Sequence, residues 1–209
     1  MDPLEGIAVA TGALTVWLST RQRIAAWPTA LVNAALYFVI FWRAQIYANM
    51  GLQVVYFGLS CYGWYAWKYG GADHTGVVVT RTTAALARRL VPIGIGIAAL
   101  LTFSLARWTD AATPWLDSGT TATSLVAQWM MTRKLLENWL VWIAVDVVYI
   151  GMYVTQGLRL TAGLYAAFLV LATLGYLSWR RSLRERLAGE AGQAAGADGA
   201  ANAAGAAGA

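Results

Sequence analysis

Trp142, Asp146, Tyr149 and Tyr153 follow one another at steps of four, three and four, which places them on one face of a helix. The stretch that carries the first three runs from Glu137 through Asn138, Trp139 and Leu140 to Tyr149, and Tyr153 follows one turn on. The stretch is otherwise apolar and long enough to enter a bilayer. An ionisable side chain at that depth costs roughly 2.5–3.5 kcal/mol on insertion scales, so it faces a cavity or a partner rather than lipid. One carboxylate within a stripe of aromatic rings suits a flat ligand that is cationic or rich in hydrogen-bonding groups. The competing reading is that the rings only pack against neighbouring helices while Asp146 pairs with an arginine.

The helices that must hold this stripe belong to a membrane protein. Of the 209 residues, 59% are hydrophobic and 12% charged, about half the charged fraction of a soluble domain. Eleven Trp and ten Tyr suit interfacial belts as well as ligand stacking. A single cysteine, Cys61, excludes an internal disulfide and a cysteine metal cluster. The start, Met1-Asp2-Pro3-Leu4-Glu5, is acidic and has no small-residue cleavage site after it, so the first apolar run is expected to be a retained helix.

Seven apolar runs approach the length of a membrane helix. They are about 4–20, 24–42, 44–67, 90–106, 118–132, 137–155 and 158–179. Pro92 is expected in the first turn of the fourth, Asp117 as the N-cap of the fifth, and Gln156-Gly157 as the turn between the last two. A polar loop with Asp73 and the lone His74, expected to be exposed, follows the third. From Gly189 the chain is almost only Ala and Gly, a composition that cannot build a core and is expected to be disordered. Lys and Arg are divided twelve to three between the two sides of such a bundle. That asymmetry predicts a cytoplasmic C-terminus and an external N-terminus.

Shifted by 112 residues, the chain matches itself without a gap. Trp17 meets Trp129, Thr20-Arg21 meets Thr132-Arg133, Trp27 meets Trp139, and Tyr37 meets Tyr149. Gly51-Leu52 meets Gly163-Leu164, Leu59 meets Leu171, Gly63 meets Gly175, and Trp67 meets Trp179. Spans one to three and five to seven are therefore copies of one unit. The fourth span adds one crossing, so both copies point the same way. The expected fold is all-α and polytopic, seven helices in a 3+1+3 arrangement of parallel repeats. Residues 1–68 form the first repeat, 69–117 a loop and linker helix, 118–181 the second repeat, and 182–209 a cytoplasmic tail. Transporters built on such repeats bind near the midplane, between the copies. A duplicated scaffold without a cavity is the alternative.

Polar residues inside the spans support the cavity. Thr29, Asn33 and Tyr37 recur every four residues in span two. Asn49, Gln53, Tyr56 and Ser60 share a face of span three, Thr121, Ser124, Gln128 and Thr132 a face of span five, and Tyr165 lies early in span seven. In lipid each needs a partner, so these faces should turn inward. The candidate binding residues are Asn33, Tyr37, Gln53, Gln128, Trp139, Trp142, Asp146 and Tyr149. Asn33 and Asp146 are one residue out of register between the repeats. No phosphate-binding G-x-x-x-x-G-K loop, no H-E-x-x-H and no serine–histidine arrangement is present, so nothing points to an enzyme, a cofactor or a metal. The basic residues sit at the ends of apolar runs and do not suggest nucleic acid. Glu137 is expected to serve the N-terminus of its own helix.

Leu52-Gln53, Tyr56 and Tyr62-Gly63-Trp64-Tyr65-Ala66-Trp67 resemble the end of the first repeat of PnuC-type nicotinamide riboside transporters. Asp117-Ser118, Met131-Thr132-Arg133-Lys134, Glu137-Asn138-Trp139, Trp142 and Gln156-Gly157 resemble the second repeat. The resemblance covers roughly residues 5–181. It implies a SWEET-like fold and facilitated diffusion of a vitamin precursor across the bacterial inner membrane, supplying NAD synthesis. It also implies a cytoplasmic kinase that traps the substrate. Asp146 stands where those transporters carry Asn. Nicotinamide riboside and thiamine are both cationic, so thiamine or another cationic vitamin or nucleoside stays open as the cargo. So does the oligomeric state, a homo-oligomer included; the remaining partner is membrane lipid.

Overall fold

The computed structural model describes residues 3–45, 47–71, 74–108, 114–155 and 157–207. Asp73 and Gln156, expected in a polar loop and a turn, lie outside the described residues. Seven helices follow in order: α1 Pro3–Thr20, α2 Ala26–Arg43, α3 Tyr47–Tyr69, α4 Ala84–Trp108, α5 Pro114–Thr132, α6 Asn138–Thr155 and α7 Arg159–Ala207. Segments of α4, α6 and α7 are by themselves long and apolar enough to cross a membrane.

Neighbouring helices pack in the circuit α1, α2, α3, α5, α6, α7 and back to α1, while α4 lies outside it against α5. The contact of α1 with α7 and that of α3 with α5 are equivalent under the 112-residue shift. The ring is thus two copies of a three-helix unit closed on each other, with α4 as the extra crossing.

The helix ends repeat as well. Gln22 and Lys134 end α1 and α5 with φ of 53° and 48°. Around the first, the Gln22 N–H donates to the Ser19 carbonyl at 3.0 Å and the Arg23 N–H to Leu18 at 3.0 Å. Around the second, Lys134 donates to Met131 at 3.0 Å and Leu135 to Met130 at 3.1 Å. This pair of bonds to the last carbonyls, closed by a left-handed residue, is a Schellman cap.

Four tryptophans join the copies. Trp27 meets Trp67 edge-to-face, with centroids 5.3 Å apart and planes at 86°. Trp139 meets Trp179 at 5.4 Å and 86°. Trp67, at the end of α3, and its equivalent Trp179, where the apolar part of α7 gives way to Arg180-Arg181, touch at 5.9 Å. Head-to-tail repeats would put these two at opposite ends; their contact makes the repeats parallel. The Trp67 indole N–H donates to the Met131 carbonyl at 3.1 Å, and the Trp179 N–H donates to the Ser19 carbonyl at 3.0 Å. Both bonds run from one repeat to the other. Trp27 and Trp139 fit because they lie on Gly63 and Gly175, where a Cβ would strike the indole.

Three expectations need correction. Pro92 lies inside α4, which begins earlier, at Ala84; its missing N–H frees the carbonyl of Arg88, one turn from the helix start. Asp117 is in the first turn of α5 and not its N-cap, because Pro114, preset to a helical φ, starts that helix. The Ala/Gly-rich stretch continues α7 as helix to Ala207. Alanine is the strongest helix former, and a helix already begun needs no new nucleus. Pairs Arg181–Glu185 and Arg186–Glu190, both 2.9 Å and one turn apart, support the extension.

The α3–α4 connection is a strap. Thr80 donates its N–H to the Lys134 carbonyl at 3.1 Å and accepts from Leu136 at 2.8 Å. Arg186 Nη2 holds the Val79 carbonyl at 3.1 Å. Glu137 Oε2 accepts the Thr82 N–H at 2.7 Å and its hydroxyl at 2.8 Å, and Oε1 faces Arg81 Nε at 3.3 Å. Glu137 thus holds the strap, and its carboxylate also accepts from its own backbone N–H, just before the start of α6. Partial burial pushes its carboxyl up, but the hydrogen bonds from Thr82 and Arg81 outweigh this and hold it below the usual carboxylate range.

A carboxyl depressed on folding stabilises the fold above its unfolded value, and that contribution is lost as pH falls through the folded one. Amide exchange at Thr82, corrected for the intrinsic rate, should stay protected at neutral pH and lose protection below about pH 4. In detergent, Gly175→Ala should lower the unfolding midpoint, at a cost of about 1–3 kcal/mol, because the new Cβ would sit 2.6 Å from Trp139. Gly163→Ala, with nothing within 4 Å, should leave the midpoint unchanged or raise it.

Candidate functional site

A cavity of about 270 Å³ lies between the repeats, beside the tryptophan cluster. Six helices wall it. From α1 come Thr15, Val16 and Ser19; from α2, Ala26, Trp27 and Ala30; from α3, Tyr56. From α5 come Ser124, Gln128 and Met131; from α6, Trp139, Trp142, Val145, Asp146 and Tyr149; and from α7, Tyr165, Phe168 and Ala172. The volume is just under the roughly 300–1,000 Å³ usual for ligand pockets, so it suits one small molecule.

Asp146 is the ninth of the eighteen residues of α6, about 12 Å along an axis that rises 1.5 Å per residue. It therefore sits near mid-membrane. It is only 5% exposed, yet its carboxylate lines the cavity. Every Lys and Arg of the chain is among the described residues, and none forms an ion pair with it; the pairs found are Arg81–Glu137, Arg181–Glu185 and Arg186–Glu190. The packing alternative, an Asp146–arginine pair, is absent among the described residues.

Aromatic rings extend from the carboxylate along α6. Tyr149 stacks on Tyr153 at 5.8 Å, and Tyr165 approaches the two at 4.8 and 5.3 Å. At the other end, Trp27 and Trp139 line the cavity with both indole N–H groups buried and without an acceptor among the described residues. An unpaired buried donor costs about 1–3 kcal/mol, and this one recurs at equivalent positions of the two repeats. The wall thus offers π faces, donors and one anion.

The frame is two-fold but the lining is not. Trp142 and Asp146 of α6 correspond to Ala30 and Ala34 of α2. The second repeat supplies the charged group and most of the large ones, while Ala30 of the first leaves room opposite Trp142's position.

Of the candidate residues, Gln128, Trp139, Trp142, Asp146 and Tyr149 line the cavity. Asn33, Tyr37 and Gln53 do not. Asn33 Nδ2 donates to the Ala8 carbonyl at 2.6 Å and the Thr11 hydroxyl at 3.1 Å, tying α2 to α1. Its counterpart under the repeat is Val145. A shift of one residue turns a helical side chain by about 100°, so the near-match with Asp146 faces a different way. Tyr37 stacks on Phe41 at 5.7 Å. Gln53 lies in a separate groove with Ala34, Phe38 and Phe57. Thr15, Ser19 and Trp27 were not singled out from the sequence as site residues. Two signals pointed to them: the hydroxyls of Thr11, Thr15 and Ser19 recur every four residues along α1, and Trp27 is the repeat mate of Trp139.

The sequence pattern of the nicotinamide mononucleotide transporter family matches residues 2–181. The chain belongs to that family. It is a multi-pass membrane transporter of a small molecule. It is 29% identical over 208 residues to the nicotinamide riboside transporter PnuC of Escherichia coli (strain K12), covering 88% of this chain and 87% of the relative. It is 25% identical over 185 residues to the riboflavin/roseoflavin transporter RibM of Streptomyces davaonensis, covering 85% and 86%. The crystal structure of the vitamin B3 transporter PnuC has the same fold, with a TM-score of 0.69 at 23% identity over 87% of this chain and 82% of that one.

Asn33→Ala should lower the unfolding midpoint in detergent, by a loss on the order of 1 kcal/mol for its interhelical bonds. Gln53→Ala should leave the midpoint within error. The opposite order would mean that the α1–α2 tie is not made.

Proposed function

We propose that the chain takes up nicotinamide riboside by facilitated diffusion across the bacterial inner membrane, with its N-terminus outside and its C-terminus in the cytoplasm. The observation that carries this reading is the unpaired carboxylate of Asp146 in an aromatic cavity at mid-membrane depth. The pyridinium ring of nicotinamide riboside is flat and cationic. Packed against Trp139, Trp142 or Tyr149, it gains up to about 2 kcal/mol from a desolvated cation–π contact, and Asp146 supplies the opposite charge. Gln128, Ser124 and Thr15 meet the ribose hydroxyls, and the free indole N–H groups of Trp27 and Trp139 are suited to oxygen acceptors.

The lining also separates related cargoes. The mononucleotide in the family's description adds a phosphate, whereas the cavity contains no Lys or Arg and does contain Asp146. The phosphate would be buried beside a like charge without a counter-ion. The flavin carried by the Streptomyces relative is a neutral three-ring system that leaves Asp146 uncompensated. Thiamine satisfies the charge, but the relatives named above do not favour it, nor do they favour a scaffold. Rocking of one three-helix unit against the other, about the tryptophan crossing, would expose the cavity to each side in turn. A cytoplasmic kinase that phosphorylates the riboside would keep it inside. A homo-oligomer would leave this cavity within each subunit, with lipid around the bundle.

In cells lacking other importers, labelled nicotinamide riboside should accumulate and labelled mononucleotide should not. Asp146→Ala and Ala30→Phe, the second filling the cavity, should each cut uptake at least tenfold at unchanged membrane abundance. Normal uptake by both variants would remove this cavity from the transport path.

A further inference from the structure

Among the described residues α4 packs against α5 and touches no other helix, while α3 packs against a different part of α5. A gap therefore stays open between α3 and α4, with α5 as its floor. It forms a groove of about 680 Å³. Tyr62 and Tyr65 stand on its α3 wall, Leu86 on its α4 wall, and Trp129 and Arg133 on its floor; the strap from Gly70 to Thr80 closes its end. Arg133 directly follows the last residue of α5, so the groove lies at the membrane boundary. It is on the side that holds twelve of the fifteen Lys and Arg.

Arg133 is the only charged side chain lining the groove among the described residues. Its Nη1 donates to the Tyr62 hydroxyl at 2.9 Å, and its guanidinium lies 5.9 Å from the centre of the Trp129 ring. Both partners are neutral. No carboxylate pairs with Arg133 among the described residues. The guanidinium is thus held in place without a counter-ion, and its planar fork of N–H donors matches the oxygens of a phosphate. Toward the membrane centre the wall becomes apolar. The face of α3 that carries Tyr65 and Tyr62 continues at steps of four and three through Gly58 and Val55, and all four residues are exposed. A basic group, then aromatic rings, then apolar surface is the order in which a phospholipid presents its phosphate, interface and chains.

The other repeat supplies the comparison. Arg21, the equivalent of Arg133, lies 5.4 Å from the ring of Trp17, the equivalent of Trp129. There, however, Leu174 and Leu177 take the places of Tyr62 and Tyr65. Among the described residues α1 touches only α2 and α7, so no outlying helix makes a groove beside it.

The geometry points to a binding site for one anionic phospholipid in the gap between α3 and α4, with its phosphate on Arg133 and its chains along α5. The site is separate from the transport cavity and does not depend on the cargo. Only the naming of its leaflet as cytoplasmic rests on the orientation proposed above. Basic pockets between membrane helices on that side attract anionic headgroups. A groove with one arginine and no acid favours a lipid of net negative charge over a zwitterionic one. The lipid fills the space that the outlying position of α4 leaves beside the ring of six helices.

The test titrates the purified, delipidated full-length chain in detergent with phosphatidylglycerol or phosphatidylcholine of the same acyl chains, and counts bound lipid by native mass spectrometry. One phosphatidylglycerol per chain should be retained, in clear preference to phosphatidylcholine. Arg133→Gln should weaken that retention about fivefold or more and abolish the preference, whereas Arg21→Gln should leave both unchanged. Leu86→Trp keeps the arginine but fills the groove, and should also lose the lipid, so the outcome does not hang on one variant. Equal retention of the two lipids, or equal losses in Arg133→Gln and Arg21→Gln, would reduce the site to a diffuse basic belt and overturn the proposal. Inorganic phosphate that displaces phosphatidylglycerol as well as added phosphatidylglycerol does would make the site one for the free anion. A lipid-free dimer that Leu86→Trp splits would seat a second copy in the gap. Either result also overturns the lipid.

Discussion

Two indole N–H groups cross between the halves of this molecule, Trp67 to the Met131 carbonyl and Trp179 to that of Ser19. In lipid there is little hydrophobic force to hold one helix against another, so packing and such bonds carry the association. The crossing has several dependents. It fixes which ends of the repeats meet, and it lets Trp27 and Trp139 lie down on glycines. Lys134 Nζ caps it from the loop side, 4.4 Å from the Trp67 ring. The cavity begins where these rings stop. A wall of rigid aromatics on one side and a ring of six helices around it leave a space that lipid does not fill.

Symmetry of the frame and asymmetry of the lining answer different demands. The frame repeats down to its turns, with matched Schellman caps at Gln22 and Lys134. Recognition of one small, flat cation requires a single off-centre site. The chain meets both demands by keeping Trp, Gly and the turn residues alike while letting Ala30 and Ala34 diverge from Trp142 and Asp146. The strap adds a further asymmetry. It ties the α3–α4 connection to the α5–α6 turn through Glu137, and to α7 through Arg186.

Much of this was legible in the primary sequence because a bilayer narrows the choices. Apolar length gives the spans, the 112-residue repeat gives the copies, and an odd helix between them gives their common direction. Asp146 and its stripe were readable because helical spacing is regular and an acid at that depth is costly. Gln128 could be placed with them for the same reason. The faces of α2 and α3 were less readable. Asn33 and Gln53 are polar residues in spans, as Asp146 is, and periodicity alone cannot say which neighbour satisfies them.

The sequence by itself determined the number of helices, the duplication, the parallel arrangement and the depth of the carboxylate, since all four follow from composition and spacing along the chain. Only the tertiary structure decided which polar faces meet the cavity and which meet another helix. It also decided that Glu137 holds the strap and that no arginine reaches Asp146. The physical reason is that a helix fixes directions about its own axis only. Its rotation toward its neighbours is set by packing, here by tryptophans seated on glycines and by bonds that close between residues 64 and 160 positions apart.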